Sequence, residues 1–252
     1  MDFPQTEAIL ARLEPWFRTV AQSVGQPTPF EEDDHLYYLY EQRTPAIVQI
    51  AKAARMVSGL NAAMSLADDG YAVESAVLLR TVSDFANEII AIGVDLSTGT
   101  LSPSVQRFCD QYFVSPPNNL DDFLNQERDR YVARADLYKS HRSAAVNAGQ
   151  DADMLLNETR FLDKGYDSYV HGGYRTAMQL YDPNEDQFAL EGTYSDHHEC
   201  VAKLAIAGKA YFAMIALELM AHLHGFNEIA DEIRNGRAEF ERSPEYDGTI
   251  CR

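Results

Sequence analysis

A chain of 252 residues, 46% hydrophobic and 24% charged, has the makeup of a packed globular protein and is not a disordered segment. Its 39 acidic residues against 21 basic ones give a formal net charge of −18. A surface of that sign repels nucleic-acid phosphates and anionic lipid at long range, so RNA is disfavoured as a partner unless a local basic patch overcomes the field. The three cysteines, Cys109, Cys200 and Cys251, form no CxxC or CxxH pattern, which argues against a zinc knuckle. An odd count without a framework fits packing thiols in a reducing cytoplasm, the expected location. The opening "MDFPQTEAIL" has no basic region before an apolar run, so a signal peptide is not expected.

Residues 4–24 carry Ile9, Leu10, Leu13, Trp16, Phe17 and Val20 at helical spacing, with Pro4 near the start where proline is tolerated. A second helical segment is expected over 31–68. Its first part, "EEDDHLYYLYEQR", places acids at the positive end of the helix dipole, and Pro45 breaks or kinks it before "AIVQIAKAARMVSGLNAAMSLADDG". As a helix, this part spreads Tyr37, Tyr38 and Tyr40 over several faces. They suit either a self-association surface or packing between helices with their hydroxyls in water. The "DDG" at 68–70 is a stop.

The next helix, 71–94, gathers Leu78, Val82, Phe85, Ala86 and Ile89 on one side and Glu74, Arg80, Asp84, Asn87 and Glu88 on the other. Arg80 and Asp84 are four apart and can pair. The polar side reads either as a solvent face with an ordinary ion pair, or as an arginine and a carboxylate facing a cleft between helices. A short helix begins at Ser102-Pro103, a cap followed by proline at the first helical position.

After the breaker "SPPNN" at 115–119, a long polar helix is expected to about residue 147. Between 128 and 142 it carries Arg128, Arg130, Arg134, Lys139 and Arg142 against Asp129 and Asp136, a net of +3 in an acidic chain. Arg134 and His141 are seven apart, about 10 Å along the axis and on nearly one face. Arginine there could stabilise phosphate charge while histidine acts as acid or base on a ribose hydroxyl. Another helix, 151–171, ends at His171 before Gly172 and Gly173, one of which supplies a left-handed turn. His171 is either an ordinary helix-end residue or, with Ser168 three residues earlier and Tyr166, Tyr169, Tyr174 and Arg175 around it, part of a site.

Residues 182–193, "DPNEDQFALEGT", lack helical periodicity and read as a loop or short hairpin. The last long helix, 195–224, starts at "SDHHE", with Ser195 as its cap, and is followed by 226–241. Lys203, Lys209 and Glu218 interrupt its apolar run, leaving eight charge-free residues at 210–217, where a membrane span needs roughly 20. It reads as a buried core helix. His198 and His222 would lie about 36 Å apart on it and cannot share an ion. No GxGxxG or GxxxxGK[ST] occurs. No metal and no cofactor is expected.

The fold class that follows is all-α: one multi-helix bundle over 1–252, with a short irregular or hairpin insertion near 182–193 and residues 1–45 as a candidate N-terminal arm or dimerisation segment. "LLRTVSD" on one helix and "YDSYVHGG" ending a later one resemble a group of prokaryotic all-helical, HEPN-like proteins. In that group an arginine with an acid four residues on, and a serine three before a histidine, recur in the same order; here these are Arg80, Asp84, Ser168 and His171. The Arg134–His141 spacing resembles the arginine–histidine motif of HEPN-type ribonucleases, with Ala135 departing from its usual polar residue. The resemblance covers about residues 50–225. It implies a bundle that commonly dimerises, a metal-independent endoribonuclease and a role in toxin or defence systems. The alternative is a non-catalytic helical binding or scaffold protein that acts through dimerisation or a protein partner.

Overall fold

The computed structural model describes residues 2–32, 35–114, 137, 152–182, 184–192 and 195–251. Among these, eight α-helices and two two-stranded hairpins follow one another, an all-α bundle with two small β insertions. The helix expected over 119–147, and with it Arg134 and His141, lies outside the described residues except for Leu137, which is buried near Val48, Ala91 and Ile92.

Helix α1, Pro4–Ala21, has proline in its first turn and buries Ile9, Leu10, Leu13, Trp16 and Val20, the stripe its periodicity demands. Glu245, from the far end of the chain, accepts from the backbone N–H groups of Gln5 and Thr6 at 2.9 and 2.7 Å and from Thr6 Oγ1 at 2.6 Å. A buried carboxylate thus serves two of the orphan donors at the helix start.

Residues 28–39 correct the expected helix. Thr28–Glu32 (β1) and His35–Leu39 (β2) form an antiparallel hairpin in which Phe30 faces Tyr37 and Pro29 faces Tyr38. The physical reason is local. The run Leu36–Leu39 is rich in aromatic residues that favour strands, and proline sits on the outer strand, where its missing N–H costs nothing. The tyrosines therefore alternate between two sheet faces, Tyr37 on one and Tyr38 on the other. Helix α2, Pro45–Asp68, begins afresh. Thr44 caps it by accepting from the Ile47 N–H at 3.4 Å, so Pro45 opens a helix and does not kink a longer one.

Gly70, at φ +82°, ends α2 with Tyr71 N–H bonding back to Leu66 O at 2.7 Å. Helix α3, Ala72–Ser97, lies antiparallel beside α2. The two approach so closely that a Cβ on Gly59 would sit 2.8 Å from Val82 Cγ2. Helix α4, Pro103–Tyr112, is capped by Ser102 as its sequence indicated, and Asp95 accepts from the Ser102 N–H at 2.7 Å. Helix α5, Ala152–Val170, is followed by the one-turn α6, Tyr174–Ala177. Tyr181–Asp182 (β3) and Gln187–Phe188 (β4) make the short hairpin expected near 182–193.

Helix α7, Asp196–Leu223, is the axis of the bundle, contacting α1, α2, α3 and α8, Asn227–Phe240. Ile206, Ala210, Ala213, Met214, Leu217 and Met220 are fully buried. Among the described residues it is the one helix long and apolar enough to cross a membrane, yet more than half of that stretch is buried within the bundle. Lys203, at its buried edge, pairs with Asp68 at 2.7 Å and Glu199 at 2.8 Å, tying α7 to the end of α2. Cys109 is a buried packing thiol, as expected. Cys200 and Cys251 depart from that reading: they form a disulfide with Cα atoms 6.0 Å apart. The polypeptide after α8 folds back onto the first turns of α7, a proximity that 51 residues of separation conceal.

Candidate functional site

Helices α3 and α5 meet through Arg80. Its side chain is only 5% exposed and pairs with Asp84, its neighbour one turn along α3, and with Asp167 of α5, whose Oδ1 accepts from Nε at 2.7 Å. On the side of α3 expected as either a solvent face or a cleft wall, Arg80 and Asn87 are buried, while Glu74 is exposed. Two carboxylates around one guanidinium leave a formal net charge of −1, so the group has little pull left for a phosphate.

Ser168 follows Asp167, but its hydroxyl turns back to donate to Gly165 O at 2.7 Å. Its carbonyl accepts from the Gly173 N–H at 2.8 Å and from Thr176 Oγ1 at 3.0 Å, which stitches α6 to the end of α5. His171 lies just past α5, its backbone N–H on Asp167 O at 3.0 Å, and is exposed. Gly172, at φ +59°, is the residue that takes the left-handed turn. Of the six residues singled out by sequence, Arg80 and Asp84 thus pair at the α3–α5 contact, which Asp167, the residue before Ser168, completes. His171 stands at its edge, and Arg134 and His141 are not described.

Beside this contact lies a cavity of about 690 Å³. Three helix faces wall it: Ala72 and Ala76 of α3; Phe161, Lys164, Gly165 and Ser168 of α5; and His197, His198, Val201, Ala202 and Ala205 of α7. Each set recurs at three- or four-residue spacing, which is why single faces converge here. Small residues on α3 and α7 leave the space open. Arg80 continues the Ala72–Ala76 stripe, about 6 Å further along α3. Tyr166, Tyr169, Thr176 and Gln179 complete the wall. Gln179 Nε2 donates to Tyr169 Oη at 3.4 Å. Burial, and after it the neighbouring Tyr169, push the Tyr166 hydroxyl up to about 12, so it stays a neutral donor. Lys209 Nζ sits 4.6 Å from the Tyr166 ring centroid.

His198 Nδ1 is buried and has no hydrogen-bond partner among the described residues. An unmet buried ring nitrogen costs about 1–3 kcal/mol. Among the described residues, Lys164, His197 and His198 line the space and no Asp or Glu does. Among the described residues, no set of three His, Cys, Asp or Glu side chains is placed to hold a metal ion. Lys164, Asp167, His197 and His198 are the members that reading by motif passes over as functional. Lys164 and Ser168 share a helix face four residues apart, a visible signal. Nothing in the sequence tells that the start of α7 lies against that face. No family model matches the chain, and comparison with curated proteins and with solved structures finds no match either.

Proposed function

We propose that this chain acts by binding, and that a small molecule occupies the cavity between α3, α5 and α7. The observation that carries this reading is a 690 Å³ space with a mainly apolar wall and a few polar side chains, Lys164, Ser168 and His197 among them. Such a composition is typical of small-molecule sites. Nile red, a neutral apolar dye, provides the test. Its fluorescence rises on mixing with the protein and stays flat with Val201→Trp, which fills the cavity from a half-exposed position and leaves the melting temperature unchanged. A Val201→Trp protein that still binds the dye in the same way refutes the assignment of the site.

A HEPN-like, metal-independent ribonuclease is the second reading, favoured by the Arg80–Asp84 pair and its bond to Asp167, which precedes Ser168, with His171 one turn beyond. Incubation with RNA in chelator, beside His171→Ala and His141→Ala, decides it: cleavage abolished by one substitution supports the enzyme, and none by any form removes it. Self-association fits either reading. Phe30, Leu36, Tyr37, Tyr38 and Leu39 are exposed on both faces of the β1–β2 hairpin, a surface suited to a second copy of the chain. Sedimentation of Tyr38→Glu beside the parent protein tests that role.

A further inference from the structure

We infer that Ser23, His224 and Gln49 form a separate hydrolytic site for small uncharged carboxylic esters. Ser23 is the nucleophile, His224 its general base, and Gln49 the residue that positions the imidazole. His224 lies at the far end of α7, about 39 Å along the axis from His198, so the site is remote from the cavity and does not rest on the binding reading.

Three side chains from distant parts of the chain make one directed relay. Ser23 sits in the single 3₁₀ turn, Gln22–Val24, that follows α1. Its Oγ lies 2.6 Å from His224 Nδ1, at the short end of the roughly 2.6–3.2 Å expected between a nucleophile and its base. The other ring nitrogen, Nε2, lies 3.4 Å from Gln49 Oε1. Gln49 is fully buried, and its Nε2 donates to Ile89 O at 3.1 Å, which turns Oε1 toward the imidazole. An amide oxygen only accepts, so the imidazole proton belongs on Nε2 and Nδ1 presents a lone pair to the Ser23 hydroxyl. A buried acceptor that fixes the tautomer of a histidine, which in turn faces a hydroxyl, is the arrangement that activates serine. Burial also holds the imidazole below its ordinary value, which keeps it neutral and able to take a proton near pH 7.

The reactive end of the relay is accessible. Ser23 is exposed, and a Cβ built on Gly25 or Gly225, beside the two reacting residues, meets no atom within 4 Å. As Oγ attacks an ester carbonyl, its proton passes to Nδ1. The tetrahedral intermediate then expels the alkoxide, which takes that proton, and an acyl-serine remains. Water cleaves the acyl-serine through the same base and restores Ser23, so ester and water become acid and alcohol. The acceptor is water because the serine stands at the surface. The ester is uncharged because none of the three side chains carries a charge to anchor an ionised one, and the net charge of −18 repels anions.

Labelling with an alkyl fluorophosphonate, followed by peptide mapping, and hydrolysis of p-nitrophenyl butyrate test the site. The reagent is expected to modify Ser23, with fluoride leaving, and to do so roughly a hundredfold more slowly in His224→Asn. Gln49→Met is expected to slow labelling about tenfold and to turn the imidazole ¹⁵N spectrum of His224 from one tautomer to a mixture. Ser23→Ala, at an exposed position, keeps the fold and is expected to lose both label and hydrolysis. Absence of label on Ser23, or an unchanged labelling rate in His224→Asn, overturns the pair. Hydrolysis that persists in Ser23→Ala overturns the nucleophile whatever His224→Asn does. A labelled Ser23 in a protein that does not hydrolyse the ester overturns the reaction assigned, and an unchanged spectrum in Gln49→Met overturns the role of Gln49.

Discussion

Arg80 Nε donates to Asp167 Oδ1 at 2.7 Å, so a buried guanidinium on α3 anchors α5 one residue before Ser168. The two carboxylates around Arg80 are unequal. Asp84 is 25% exposed and Asp167 46%. Removing the better-buried partner leaves the arginine charge poorly compensated, which costs about 3 kcal/mol, whereas water takes over much of Asp167's role and its loss costs about 1 kcal/mol. Urea unfolding of Asp84→Ala and Asp167→Ala is therefore expected to give midpoints in that order, both below the parent protein. Equal midpoints would show that Asp167 is as desolvated as Asp84.

The start of α1 supplies a second expectation. Glu245 is buried and accepts three hydrogen bonds from Gln5 and Thr6. Bonds to a charged acceptor are the strong kind, and Glu245→Ala leaves two backbone donors and a hydroxyl without it, a loss of about 3 kcal/mol. Glu245→Gln keeps one acceptor oxygen but turns an amide N–H₂ toward donors, so it is expected to fall between the two. Hydrogen exchange localises the effect: amides of residues 5–8 exchange faster in Glu245→Ala while those in the middle of α3 hold.

Much of this architecture is legible in the sequence because burial follows periodicity. Leu13, Trp16 and Val20 fall at helical spacing and are buried where expected. Caps were equally readable: Ser102-Pro103 and the Asp68–Gly70 stop both act as local chemistry dictates. Residues 31–43 misled because acids before an apolar run suit a helix start and a strand-turn alike, and no core contact settles the choice for a hairpin exposed on both faces. In the candidate site, the Arg80–Asp84 pair is an i,i+4 relationship and was visible. The approach of Asp167, of His198 and of Cys251 to their neighbours depends on how helices pack, which spacing along one helix does not encode.

The crossing of α3 and α7 depends on Gly93. A Cβ there would stand 2.6 Å from Leu219 Cδ2 and 2.9 Å from its Cγ. Gly93→Ala gains helix propensity but forces Leu219 aside, and overpacking of this kind costs about 1–3 kcal/mol. Leu219→Ala alone loses packing. Combined with Gly93→Ala it removes the clash, so the double variant is expected to be more stable than the two single losses predict. A double-mutant cycle on thermal unfolding measures this, and additive losses would place Leu219 away from Gly93.

Stability is also expected to fall on mild acidification, through His224. Its Nδ1 lies 2.6 Å from Ser23 Oγ and its Nε2 3.4 Å from the side chain of Gln49, which itself donates to Ile89 O at 3.1 Å. This relay joins the end of α1 to α2, α3 and α7. Burial lowers the imidazole pKa below its ordinary 6.5. A histidine whose native pKa is depressed binds fewer protons folded than unfolded, so its full contribution is present above about pH 6.5 and is lost as pH falls toward the lower native value. Urea midpoints at pH 7.5 and 5.5 are expected to differ less in His224→Asn than in the parent protein. An identical pH slope in both would assign the acid sensitivity to other groups.

The Cys200–Cys251 disulfide makes the last expectation. It closes a loop over 51 residues of separation, and in the chain-entropy account such a cross-link stabilises by about 4 kcal/mol. For a domain of this size, that corresponds to a fall in Tm of roughly 10 °C on reduction. The tail keeps a second hold on the bundle, since Tyr246 lies 5.0 Å from the Tyr211 ring and 6.0 Å from Phe240, so reduction loosens the end without unfolding the core. Cys109 behaves differently: burial first, then Asp110 and Asp95, push its thiol up to about 12, which keeps it protonated and unreactive. Iodoacetamide is thus expected to label no cysteine in the oxidised native protein, two after mild reduction, and Cys109 only on denaturation. Labelling of Cys200 and Cys251 without prior reduction would show that the bond is absent and would leave the cytoplasmic, reduced state as the native one.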